Sequence, residues 1–106
     1  LAKHVLNAAV NPMVYITNGE LEGITAGESV TFEAHVTGGG VPAYTYEWSV
    51  KKEGTTEWLS MGGNSSTWTW NPVSGDEGTY AIRCRVTDVQ IHTGEVIWED
   101  FIVSPT

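Results

Sequence analysis

Residues 76–88 read DEGTYAIRCRVTD. Tyr80, Ile82, Cys84 and Val86 alternate with Ala81, Arg83, Arg85 and Thr87. A period of two places one set on each face of an extended strand. The first set is apolar and the second mostly polar, so the segment predicts a half-buried strand. Its lead-in, Ser74-Gly75-Asp76, is turn chemistry. Cys84 is the chain's single cysteine. No intradomain disulfide can form, and Cys84 is expected to pack as a small hydrophobe.

The same alternation recurs on either side. Val30, Phe32, Ala34 and Val36 alternate with Thr31, Glu33, His35 and Thr37. Tyr44, Tyr46, Trp48 and Val50 alternate with Thr45, Glu47, Ser49 and Lys51. TWTW (67–70) puts both indoles on one face. VNPMVYI (10–16) and TEWLSM (56–61) are shorter and read as edge strands. Pro12 in particular lacks the N–H that a central strand needs. EVIWEDFIVS (95–104) changes phase: Val96 and Trp98 are even, Phe101 and Val103 odd. A β-bulge near Glu99-Asp100 would turn both pairs inward. Asn18-Gly19, Gly38-Gly39-Gly40 and Asn71-Pro72 punctuate the strands. No segment keeps a 3.6-residue period over ten residues. Seven or eight short antiparallel strands predict an all-β sandwich, because two sheets face to face bury every apolar stripe. Residues 1–9 read as a linker or lead-in, and 10–106 as the domain.

Asp76, Gly78 and Tyr80 resemble the tyrosine corner of immunoglobulin-like domains, where the hydroxyl bonds back to the upstream backbone. In disulfide-bearing members the cysteine falls two residues after the tyrosine; here Ile82 stands there. GGGVPAYTYEW (38–48) and GTYAIRCRVTD (78–88) are similar to polycystin-type (PKD) repeats and related bacterial Ig-like surface domains. With ITAGESVTFEAHV (24–36), the resemblance covers most of residues 24–103. One feature departs from it: the repeats continue from the tryptophan into Asp-Phe-Gly-Asp-Gly, whereas Trp48 is followed by Ser49, Val50, Lys51 and Lys52. The resemblance implies an immunoglobulin-like sandwich strung among neighbouring domains of a larger secreted or cell-surface protein. Trp48, Tyr46, Asp76, Gly78 and Tyr80 would then be the fold-making residues of core and corner.

The formal net charge is −8. No basic stripe could displace counterions from a phosphate backbone, which argues against nucleic acid as a partner. The same deficit argues against a polybasic membrane anchor. No run of 18 apolar residues exists to insert into a bilayer as a helix. His4, His35 and His92 lack metal-ligand spacing, and no pair of groups suggests acid–base or nucleophile chemistry. A non-catalytic spacer or protein interaction module is the first expectation. Polysaccharide binding is the alternative, through Trp58, Trp68 and Trp98, because planar aromatic faces stack on sugar rings. Strand addition at an exposed edge is a third route to a partner. No cofactor is expected, although the many loop carboxylates would admit calcium, with Asp88 as first candidate ligand. Arg83 and Arg85 should lie outward and pair with Glu47 and Glu99. Asn64-Ser65-Ser66 is a glycosylation sequon in a loop.

Overall fold

The computed structural model describes residues 11–106. The lead-in expected over 1–9 lies outside the described residues. Eight strands follow in order: β1 (Met13–Thr17), β2 (Gly23–Thr25), β3 (Val30–Gly38), β4 (Thr45–Lys52), β5 (Leu59–Met61), β6 (Thr67–Trp70), β7 (Gly78–Thr87) and β8 (Thr93–Ser104). They form two sheets, ordered β1-β3-β6 and β2-β8-β7-β4-β5. The all-β sandwich predicted by the alternating pattern is the observed fold. Five of the six strand pairings are antiparallel; β2 lies parallel to β8. The chain leaves β1 in the first sheet, crosses at 18–22, and joins the edge of the second without reversing. Asn18 shapes that crossing, its side chain bonding both the N–H and the carbonyl of Leu21. The two segments predicted as edges, β1 and β5, are edges.

The core is aromatic. Phe32 and Trp48 are fully buried, as are Ile82, Cys84, Val86 and Phe101. Trp48 keeps its indole satisfied by donating from Nε1 to the Ser65 carbonyl at 2.9 Å, as a buried tryptophan requires. Burial pushes the Cys84 thiol up to about 12, so it stays protonated and inert while folded. Tyr80 donates its hydroxyl to the Asp76 carbonyl at 2.6 Å, and Asp76 accepts from the Val73 N–H at 2.9 Å. The corner therefore forms as its residues predict. Burial, then the nearby charges of Asp76 and Glu77, raise the tyrosine's pKa.

The phase change in β8 is a bulge. Tyr80 faces Phe101 and Ile82 faces Trp98, so Ala81 opposes both Glu99 and Asp100. Asp100 takes a φ of 62°. The bulge corrects one expectation. Glu99 is displaced from the arginine row, and Arg85 pairs instead with Glu95 at 3.3 Å and Glu47 at 3.8 Å. Arg83 faces Ile97 across the ladder and bonds Ser49 on its other side.

The described residues begin and end at opposite poles. Pro12 lies with its backbone against Gly94, at the start of β8. Ser104, at the end of β8, accepts from the Ala26 N–H. Any Cβ at position 94 would meet the Pro12 carbonyl oxygen. Gly94→Ala is expected to destabilise by about 2 kcal/mol, as overpacking against backbone does, read by urea unfolding.

Candidate functional site: an apolar loop tip at the entry pole

Two connections meet at the entry pole: residues 39–44 between β3 and β4, and 88–92 between β7 and β8. Asp88 ties them together. Its side chain is fully enclosed. Oδ1 accepts from the backbone N–H of Gln90 at 2.9 Å and of His92 at 2.8 Å. Oδ2 accepts from the Val41 N–H at 2.9 Å and lies 3.2 Å from His92 Nδ1. Burial alone would raise the pKa of this carboxyl. The N–H groups of His92, Val41 and Gln90, with the His92 ring, outweigh it and hold the group below its ordinary value. A further bond runs from the Val89 N–H to the Val41 carbonyl, and Tyr44 donates its hydroxyl to Gly39. The tip is a cross-braced structure.

This brace presents apolar side chains to solvent. Val41 is 43% exposed, Val89 56% and Ile91 78%. Ile91 has a φ of 66°. A β-branched residue in that region is an outlier, and the left-handed conformation costs an L-residue roughly 1–2 kcal/mol. The Asp88 carboxylate bonds Val41, Gln90 and His92, and the Asp88 carbonyl accepts from the Ile91 N–H at 3.1 Å; none of these bonds uses the isoleucine side chain, so they do not require isoleucine at 91. Asparagine tolerates this conformation. Ile91→Asn is therefore expected to raise stability by about 0.5–1 kcal/mol in urea unfolding.

Charge is divided between the poles. Residues 38–46 carry no Asp, Glu, His, Lys or Arg, and in 88–94 the only carboxylate is the enclosed Asp88. The nearest carboxylates along β4 and β8, Glu47 and Glu95, are paired with Arg85. At the exit pole, Asp76 and Glu77 precede β7, Glu53 and Glu57 lie between β4 and β5, and Glu99 and Asp100 form the bulge; Lys51 and Lys52 at the end of β4 are the lysines among them.

The other predicted site residues lie elsewhere. Trp68 is buried and stacks on Phe32 at 5.6 Å, so it offers no face to a sugar. Trp98 is half-buried and packs T-shaped with Phe32, ring centres 6.3 Å apart. Trp58 is half-buried beneath Arg83, whose guanidinium lies 4.3 Å from the ring centre, with Lys51 Nζ at 5.4 Å. The cation occupies stacking surface, so Arg83→Ala is expected to open the ring to solvent. A red-shifted Trp58 emission and a loss of about 0.5–1 kcal/mol would show it. Tyr46 is half-buried on the inward face of β4, and Gly78 opens β7.

Both oxygens of Asp88 accept from N–H donors, which take up lone pairs that a calcium ion would use. Among the described residues no three acidic, histidine or cysteine side chains converge on one point. A cleft of about 580 Å³ opens at the exit pole beside Lys52, Thr55, Glu57, Leu59, Asp76 and Tyr80. Its Tyr80 hydroxyl and Asp76 carboxylate are held by the corner. Sequence reading passed over the tip because VQIH (89–92) looks like any hairpin loop. A β-branched residue inside a short loop was the available signal.

No family model matches this chain. No curated protein matches it either. Among solved structures, it is similar to an engineered protein whose crystal structure extends to 1.98 Å. The similarity has a TM-score of 0.55 and 23% identity, and covers 91% of this chain. This chain spans 20% of the length of that protein. At that identity the likeness bears on the fold alone.

Proposed function

We propose that the chain is a non-catalytic, immunoglobulin-like interaction module that engages a protein partner through its entry-pole tip. The observation that carries this reading is Ile91, exposed and held in a disfavoured backbone region by bonds that do not need it. Strain of this kind concentrates where binding or switching uses it. Exposed apolar clusters mark interaction surfaces. The Asp88 brace pre-organises the tip, which lowers the ordering entropy lost on binding. The likeness of residues 38–48 and 78–88 to PKD-type repeats supports a setting within a larger secreted or surface protein.

Solvent mapping by NMR with isopropanol as apolar probe tests this. The tip amides and methyls of Val41, Val89 and Ile91 should shift saturably. Uniform small shifts over the whole surface would sink the reading.

Polysaccharide binding retains one specific observation. Tyr15 is 47% exposed and stacks on His35, centres 4.8 Å apart, which leaves its other face open. The supporting polar groups are Thr17, bonded to His35 at 2.9 Å, and Glu33 at 3.6 Å. Titration with soluble polysaccharides separates the two readings. Saturable movement of the Tyr15 ring or Trp58 indole signals, with a silent tip, would favour the sugar.

A further inference from the structure

The partner follows from the division of charge, granted that the tip is a contact surface. We propose that the tip binds a second copy of this chain, tip to tip, about a two-fold axis. With a net charge of −8, two copies repel one another through most orientations. An approach by the exit poles sets Glu53, Glu57, Asp76, Glu77, Glu99 and Asp100 against their own images, and Lys51 and Lys52 offset only part of that charge. A head-to-tail approach buries Val41, Val89 and Ile91 against the Lys52, Glu57 and Asp76 charges of the cleft, at the expense of their hydration. Among the described residues, the entry-pole loops 39–44 and 88–92 carry no exposed carboxylate, and tip to tip they bring matched apolar side chains together. A two-fold contact needs such a patch, the same on both copies and complementary to itself.

The charge pattern also argues against a lipid surface as the occupant. Residues 38–46 and 88–94 contain no lysine or arginine to meet anionic headgroups. Three apolar side chains and Pro42 cover less than the roughly 1,200 Å² of a stable interface. The association is therefore weak and fast-exchanging. It gains strength where a larger assembly holds two copies close, by effective concentration.

Salt gives the contact a signature. Its attraction is apolar and its long-range opposition is like-charge repulsion. Added salt screens the repulsion, so association strengthens as ionic strength rises, opposite to a contact held by ion pairs.

Sedimentation velocity of the chain over a concentration series up to about 1 mM, the weak end of measurable association, at low and high salt, is the experiment. ¹⁵N spectra are recorded on the same samples. The expected result is a sedimentation coefficient that climbs with concentration, more steeply in high salt. Concentration-dependent shifts should be confined to residues 41–44 and 88–92. Ile91→Asn should remain folded by its spectrum and sediment as a monomer throughout. A wild-type chain that stays monomeric would overturn the proposal, as would equal association by Ile91→Asn. Shifts along β1 or β5 would overturn it in favour of strand addition. Tip-dependent binding to phosphatidylcholine vesicles without self-association would overturn it in favour of lipid. If isopropanol still maps to the tip while the chain stays monomeric, only the identity of the partner has failed. If neither occurs, the tip is not a contact surface.

Discussion

Phe32→Ala is expected to lower stability by about 3–5 kcal/mol, the range for truncating a fully buried aromatic. Phe32 shows no exposed surface and touches the aromatic residues of both sheets. Its ring centre lies 5.6 Å from Trp68 in its own sheet, and 6.4, 6.3 and 5.4 Å from Trp48, Trp98 and Phe101 across the sandwich. The truncation removes transfer free energy and leaves a cavity that four rigid rings cannot collapse to fill. Each aromatic pair adds about 0.5–1.5 kcal/mol beyond area burial. A domain of this size has about 5–15 kcal/mol in total. The midpoint of thermal unfolding should therefore fall by roughly 15–30 °C. Urea unfolding should show a lower midpoint at nearly unchanged slope. Leu59→Ala is the control: its side chain is 60% exposed, and the change should stay within about 0.5 kcal/mol. A loss under about 1 kcal/mol for Phe32→Ala would mean that the two sheets do not meet through this ring.

The residues that make this core were legible because strand pairing imposes a strict period on the sequence. Val30, Phe32 and Ala34 face inward for the same reason that Ile82, Cys84 and Val86 do. The bulge was legible too, since only an extra residue lets Trp98 and Phe101 share a face. What the period does not encode is which outward side chains meet. The extra residue that brings Phe101 inward also moves Glu99 off the arginine row, so Glu95 takes the place expected for it. Trp58 lies outside any regular strand, where periodicity is silent, and its place beneath Arg83 is a tertiary contact. The parallel β2 depends on the chain changing sheets at residues 18–22. That crossing is set by side-chain bonds of Asn18 and not by a hydrophobic pattern.

The tip shows the same limit more sharply. Asp88 was legible as a loop carboxylate, a residue type that suits both calcium and turns. Its role follows from where Val41 lies, 47 positions earlier in the chain. Ile91 is an ordinary hairpin residue in the sequence. It becomes informative only with a backbone angle that the sequence does not declare.

Asp88→Ala ties these features into one expected result. The substitution leaves the N–H groups of Val41, Gln90 and His92 without their acceptor, in a place where water enters only if the loops part. The thermal midpoint should fall by roughly 10 °C. Amide exchange should speed up most at Val41, Gln90 and His92. Asn at the same position should rescue only in part, since its oxygen can accept from Gln90 and His92 while its amide nitrogen turns a donor toward the Val41 N–H. The acid dependence follows from the direction of the pKa shift. The folded carboxyl titrates below its unfolded value of about 3.9, so its contribution is fully present above that value. It is lost as pH falls through the lower, folded pKa. The three amide resonances should titrate together, with a midpoint below about 3.9. A midpoint at or above the ordinary carboxylate value would show that these bonds do not hold the carboxylate. The brace also holds the backbone around Ile91. If the tip is a pre-organised contact, Asp88→Ala should lose self-association although every apolar side chain is still present. Association that survives in a folded Asp88→Ala chain would mean that exposed apolar area, and not the braced shape of the tip, is what the partner reads.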